Sequence, residues 1–256
     1  MKITMAVAAL ALVASQASAQ YEVYGVQFAG YTGFAKSNLV LHEDSTHKQD
    51  LAFIVWVLKP TDGAHRVVLF DAGFYRDKFI KAWKPTGFVR PSQAIAKVGL
   101  TPDAVTDIIV SHVHWDHLDG ADLFPRAKVW IQKDEYEHYV DADGHPKANT
   151  IDTADAAMLF QLKQSGRVML IPGDNQQILP GITVYTGGRH TYASQYIGVR
   201  TAKGTVVLAS DNAYTYENLN RHLPIAATFS PADTAANLAA QDRMRHIASD
   251  PSLIFP

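Results

Sequence analysis

Residues 111–120 read SHVHWDHLDG, which places His112, His114, Asp116 and His117 within six positions. Neutral imidazole and carboxylate groups are good ligands for zinc and for other divalent metals. The chain has no cysteine, so any metal site must use nitrogen and oxygen donors. Spacing then decides the geometry. On a helix, residues two apart face different directions, whereas on a strand end or extended loop they point the same way. In an extended segment His112 and His114 can bind one ion from one face, and Asp116 and His117, round the next turn, can reach a second. The preceding run Asp107 to Val110 is strand-like, and Asp119-Gly120 reads as a turn. The cluster is therefore expected on a loop at the carboxyl end of a strand, where open α/β folds place their sites. Paired metals polarise a carbonyl or phosphoryl oxygen and lower the pKa of bound water from ~15.7 to ~7. Hydrolysis without a serine or cysteine nucleophile is the reaction class that follows.

Positioning such a cluster requires a rigid scaffold, and apolar runs rich in β-branched residues supply it. Strands are expected at Leu51 to Leu58, Val67 to Phe70, Asp107 to Val110, Lys128 to Ile131, Val168 to Ile171, Ile182 to Tyr185, Gln195 to Val199 and Thr205 to Ala209. Helices are expected at Asp77 to Trp83, Pro91 to Lys97, Asp134 to Val140, Ala154 to Gln164 and Ala232 to Ile247. Strands that first pair through turns and then mix with helices point to an α+β or α/β layered domain. With no repeat and no low-complexity linker, residues 20–256 are expected to form one domain.

The 256 residues are 47% hydrophobic, enough for a full core. The 23 basic and 25 acidic residues leave a formal charge of −2, which gives no ground for nucleic acid or a membrane surface as partner. A small-molecule substrate is the remaining expectation. At the N-terminus, Lys2, the apolar run Met5 to Ala14 and the small residues Ala17-Ser18-Ala19 have the layout of a signal peptide over residues 1–19. Its apolar part is too short to span a bilayer, so a periplasmic or secreted protein is expected. An exported chain without cysteine folds without disulfides.

The pattern His112-x-His114-x-Asp116-His117 resembles the signature of the metallo-β-lactamase superfamily, an αββα sandwich with one or two metals at the edge where its sheets meet. Further elements of the family pattern follow in order. Phe70-Asp71-Ala72-Gly73 is similar to the early Asp-x-Gly turn whose aspartate supports the metal loop. Gly187-Gly188-Arg189-His190 is similar to the segment carrying the third histidine of the first metal, with Arg189 where the family more often has glycine. Ser210-Asp211 looks like the aspartate that bridges two metals. The resemblance thus implies His112, His114 and His190 for one zinc, and Asp116, His117 and the shared Asp211 for a second.

The segment Asp211 to Asn218 resembles N-acyl-homoserine lactonases, in which a tyrosine three residues after the bridging aspartate points into the site. Tyr214 matches it. A phenol there can donate to a developing oxyanion or a leaving oxygen. The implied enzyme is an exported dinuclear zinc lactonase that degrades bacterial signals, with Asp116 assisting proton transfer. A zinc β-lactamase is the first alternative, although there the Asp211 position is more often cysteine. A thioesterase fits export poorly, and a phosphodiesterase would need a basic groove.

The aromatic stretch Phe74 to Phe88 is expected mainly to pack on the core, with an acyl-chain wall as the alternative. His42, His47, His65, His138, His145 and His222 lack a second ligand at workable spacing and are expected at the surface.

The chain stops at Leu253-Ile254-Phe255-Pro256, where the family runs on into Gly-His-Asp, whose histidine is the last ligand of the second metal. A truncated domain, one protein ligand short, is therefore expected. This keeps a metal-binding but inactive domain as a non-enzymatic alternative. His246 lies beside Arg243 and Arg245 on a solvated helix face and is not expected to replace the missing ligand.

Overall fold

A computed structural model describes residues 20–256, and the expected signal peptide lies outside the described residues. Two sheets form the centre. The first contains β1 (Tyr21–Ala35), β2 (Lys48–Pro60), β3 (Val68–Phe70), β4 (Asp107–Ile109), β5 (Lys128–Gln132) and β6 (Val168–Ile171), in that spatial order. Its first three strands pair antiparallel and β3 to β6 run parallel. The second contains β7 (Gln176–Leu179), β8 (Ile182–Thr186), β9 (Gln195–Thr201), β10 (Gly204–Leu208) and β11 (Ile254–Phe255). Its neighbours pair antiparallel, except for the parallel pair of β10 and β11.

Side chains alternate between the faces of a strand, and that alternation sorts the core into three layers. Val68 and Phe70 of β3 and Ile109 of β4 pack against Ile182, Ile197, Val206 and Leu208 between the sheets. Leu69 and Ile108 point the other way, into a cluster with Tyr136 and Tyr139 of α1 (Lys133–Tyr139) and Leu159 and Leu162 of α2 (Thr153–Gln164). On the far side, Val207 and Tyr196 meet Ala240 and Met244 of α3 (Pro231–Ile247). Strands buried on both faces read as continuous apolar runs rather than alternating ones. The result is the expected αββα sandwich. Among the described residues no helix is long and apolar enough to cross a membrane.

Two expectations need correction. The cluster is not loop throughout, because Trp115–Leu118, the turn that carries Asp116 and His117, is helical. The chain is extended only as far as His114, whose φ and ψ are −64° and 147°. The expected helix Pro91 to Lys97 is α-helical only over Pro91–Ala94 and tightens to a 3₁₀ turn over Ile95–Val98.

Gly120 closes the cluster against the neighbouring loop. Its N–H donates to Gly73 O at 2.8 Å, and a Cβ there would lie 2.2 Å from Ala72 O. Gly120→Ala must push back the backbone that carries Asp71. Overpacking of this kind costs about 1–3 kcal/mol. A fall of several degrees in the unfolding midpoint is expected by calorimetry, at roughly 2–4 °C per kcal/mol. An unchanged midpoint would show that the loop yields freely.

Candidate metal centre

Strand ends from both sheets meet at one edge. β3 delivers Asp71, β4 leads to Ser111, His112 and His114, β8 leads to His190, and β10 leads to Ser210 and Asp211. The sheets are tied together at this edge, where Gln195 N donates to Ser111 O (2.8 Å) and Gln195 Nε2 to Val110 O (2.7 Å). Three residues here take φ in the left-handed region: Asp71 (62°), Arg189 (60°) and Ser210 (47°). Such backbone costs on the order of 1–3 kcal/mol per residue and persists where the surroundings over-determine it.

His112, His114, His190 and Asp211 each offer a ligand atom, all within 4.8 Å of one another. His114 Nδ1 sits 2.9 Å from His112 Nε2 and 3.0 Å from His190 Nε2. Asp211 Oδ2 lies 3.2 Å from His190 Nε2 and 3.7 Å from His112 Nε2. One proton cannot serve both contacts of the His114 nitrogen. Burial, with His117 and His114 nearby, holds His112 well below its ordinary pKa. Burial and the adjacent His190 bring His114 down to about 3. These rings are therefore neutral near pH 7, and their lone pairs converge beside a carboxylate. That donor set fits a divalent cation such as zinc.

The other oxygen of Asp211 faces the second half of the cluster. Asp211 Oδ1 is 3.2 Å from His117 Nε2, and Asp116 Oδ2 is 3.6 Å from the same nitrogen. Burial opposes charge on His117, but Asp211, Asp116 and Asp71 outweigh it and raise its pKa well above the ordinary value. A field that favours a proton at this point favours a metal cation for the same reason. The structure thus brings all six expected ligands to one place.

Support comes from residues behind them. Asp71 Oδ2 accepts from His117 Nδ1 at 2.7 Å, which turns Nε2 toward Asp211. Asp71 also accepts from Ser111 N (2.7 Å), Ser111 Oγ (2.9 Å) and Ser210 Oγ (3.2 Å). Ser111 Oγ in turn lies 2.9 Å from His112 Nδ1. Fixing the outer ring nitrogen is the usual way an imidazole is aimed at a metal. The expected supporting role of Asp71 is visible here, but neither serine was anticipated, since a serine before a ligand carries no distinctive signal. At the far end of the cluster, the buried Asp119 carboxylate accepts from Tyr75 N (2.6 Å) and Arg76 N (3.0 Å) and pairs with the Arg76 guanidinium. Asp119 therefore anchors the helical turn rather than merely marking its end.

Glycines set the approach of the His190 loop. A Cβ on Gly188 would lie 2.3 Å from Asn237 Cα. Gly188 N donates to Asn212 Oδ1 at 2.7 Å, so the loop carrying His190 is tied to the one carrying Asp211.

The cluster opens into a cavity of about 910 Å³ lined by His114, Asp116, His117, His190, Asp211 and Tyr214. Phe34, Trp83, Trp115 and Phe53 form a connected aromatic wall of the same cavity. Their ring centroids are 6.1 Å apart for Phe34 and Trp83, 5.3 Å for Trp83 and Trp115, and 6.5 Å for Phe53 and Trp115. The Phe74 to Phe88 stretch is thus divided. Phe74 is fully buried between Phe28 and Phe53, as packing requires, while Trp83 faces the cavity.

Tyr214 Oη lies 3.4 Å from His190 Nδ1. Burial, with Asp211 and Asp116 nearby, pushes its phenol well above the ordinary pKa, so it stays protonated. The six other histidines are exposed as expected. His138 nevertheless stacks on Tyr192 at the cavity, with centroids 3.9 Å apart. His145 also departs from expectation, because Asp141 and Asp143 share its turn. Asp141 Oδ1 there accepts from Asp143 N and His145 N, the turn's own hydrogen bonds. His246 is exposed and contacts Asp242 O, away from the cluster.

N-acyl homoserine lactonase AiiA of Bacillus thuringiensis subsp. kurstaki is 29% identical over 174 residues, 67% of this chain and 63% of that relative. The chain thus spans less than two thirds of that relative's length. A Bacillus cereus N-acyl homoserine lactonase is 27% identical over 190 residues, 73% of this chain and 68% of the relative. A solved quorum-quenching N-acyl homoserine lactone lactonase superposes with a TM-score of 0.73 at 22% identity, over 93% of this chain and 91% of the other. The dizinc lactonase AidC gives 0.65 at 16% identity, over 89% and 84%. These structural likenesses show the fold. The superfamily's own sequence model matches residues 52–256, and the chain belongs to the metallo-beta-lactamase superfamily.

Proposed function

We propose that the chain is a dinuclear-metal hydrolase that opens the ring of N-acyl homoserine lactones. The observation that carries this reading is the placing of Asp211, with one carboxylate oxygen toward His112 and His190 and the other toward His117. His112, His114, His190 and Asp211 would hold one ion, and Asp116, His117 and Asp211 a second. When bound, such ions polarise a carbonyl and make water nucleophilic near neutral pH.

The chain's own groups do the rest. Water adds to the lactone carbonyl carbon, and the bond from that carbon to the ring oxygen breaks. Tyr214 donates a hydrogen bond to the oxyanion as it develops. Asp116 takes a proton from the attacking water and passes it to the leaving alkoxide, giving the open hydroxy acid. The aromatic wall of Phe34, Trp83, Trp115 and Phe53 offers apolar cover for an acyl chain, as small-molecule pockets commonly do. The lactonase names of the relatives support the substrate class. Lys2, Met5 to Ala14 and Ala17-Ser18-Ala19 support export to the periplasm or the medium.

Zinc-loaded protein is expected to open N-hexanoyl and N-decanoyl homoserine lactones faster than it hydrolyses a β-lactam, a thioester or a phosphodiester. Acid release in a weakly buffered indicator assay measures all but the thioester, whose free thiol is measured directly. Faster β-lactam turnover would replace the lactonase reading with the β-lactamase one. Tight zinc binding with no turnover of any substrate would favour the inactive domain.

A further inference from the structure

We infer that Glu135 is a positioning residue for the first metal site, holding the two ligand-bearing loops at a fixed separation. The inference rests on reading the four-donor group as a metal centre. Glu135 lies on α1 and its side chain is fully buried. Its carboxylate makes no contact with the ligand atoms. Oε1 accepts from Val113 N at 3.2 Å, and Val113 is the residue between His112 and His114. The same oxygen accepts from Thr191 Oγ1 at 2.6 Å, and Oε2 accepts from Ala193 N at 2.6 Å. Both of those donors follow His190 in the chain.

One carboxylate therefore bridges the loop from the first sheet and the loop from the second. Three donors and no acceptor face it, the surroundings of an ionised acid. A buried charge is costly unless fully paired, so its retention here calls for a purpose. Without it, the buried Val113 N and the partly buried Ala193 N would be left as donors lacking partners, and each loop would be free to relax away from the other. Because His114 and His190 come from the two loops, their 3.0 Å approach depends on that bridge. A glutamine can accept through only one of its two terminal atoms. Glu135→Gln thus keeps the shape but sets an amide N–H₂ against a donor.

The test uses the whole chain loaded with Co²⁺, whose visible absorption reports donor geometry, in competition with a chelator. Wild type, Glu135→Gln and Thr191→Val are compared, with the unfolding midpoint of each metal-free protein measured alongside. Outer partners of metal ligands typically contribute 10–100-fold in affinity. Glu135→Gln is expected to weaken binding by that factor and to alter the absorption envelope. Thr191→Val, which removes one donor of three, is expected to give a smaller loss in the same direction with its midpoint nearly unchanged. Wild-type affinity and spectrum in both variants would overturn the inference. If Glu135→Gln does not fold, an unchanged Thr191→Val decides against it alone. Failure of the wild type to bind Co²⁺ or Zn²⁺ would defeat the metal-centre reading itself, a distinct result.

Discussion

Asp211→Ala is expected to weaken metal binding by more than ~100-fold and to abolish lactone opening. The magnitude follows from what the carboxylate touches. Partners behind a ligand contribute about 10–100-fold in affinity, and the proposed reading makes Asp211 a ligand itself, facing both halves of the cluster. Its Oδ2 reaches His190 at 3.2 Å and its Oδ1 reaches His117 at 3.2 Å. Burial works against its charge, but His117 and His190 hold its carboxyl well below the usual range. Removing it leaves four imidazoles with only Asp116 and Asp71 near them, so two cations in the cluster would repel with little to offset them. Metal per chain, measured by elemental analysis after dialysis, should fall to one or none. Asp211→Asn refines the test. It keeps the volume and one oxygen but loses the charge, and the ion shared with His117 should be lost first. Two tightly held ions in Asp211→Ala would remove the bridging role.

The ligands were legible because the chemistry is demanding. Four metal-binding side chains in six positions have few other uses, and His190 and Asp211 could be placed by their order after the cluster and by the strands that precede them. The sandwich was legible for a related reason, since strands such as β3 and β4 are apolar on both faces and stand out as runs. β1 was not seen. It carries Gly25, Gly30 and Gly33, and its pairing with β2 shifts register between Gln27 and Ala29 and again between Tyr31 and Phe34. Bulges break the period of two on which a strand is read. Nor was the helical turn at Trp115–Leu118 apparent, because four residues show no helical period. The supporting groups were hidden more deeply. Ser111 and Ser210 are ordinary residue types, and their importance lies wholly in contacts across the fold. Glu135 left one trace, a charged residue four positions before Tyr139 on a helix face that is otherwise buried.

Tyr214→Phe is expected to lower lactone turnover by ~10²–10³-fold with metal content unchanged, the usual effect of removing one oxyanion donor. The hydrogen-bond pattern explains why this phenol has a proton to give. His190 turns Nε2 toward His114 and Asp211, and on the proposed reading that nitrogen would present its lone pair to a metal ion. With an ion held at Nε2, the ring N–H would lie at Nδ1, 3.4 Å from Tyr214 Oη. The phenol oxygen is thus an acceptor on the His190 side, which leaves its own hydrogen free to point into the cavity. Because burial keeps the phenol protonated, its contribution should not fade as pH rises through the range in which the protein is folded. Phenylalanine removes the donor while preserving the ring and its T-shaped contact with His190, whose centroid lies 5.8 Å away. The loss should therefore appear in kcat, with KM nearly constant, because the bond strengthens only as negative charge develops. A rise in KM with kcat unchanged would reassign Tyr214 from the chemistry to substrate binding. Unchanged kcat and KM would leave it as a packing residue of the cavity wall.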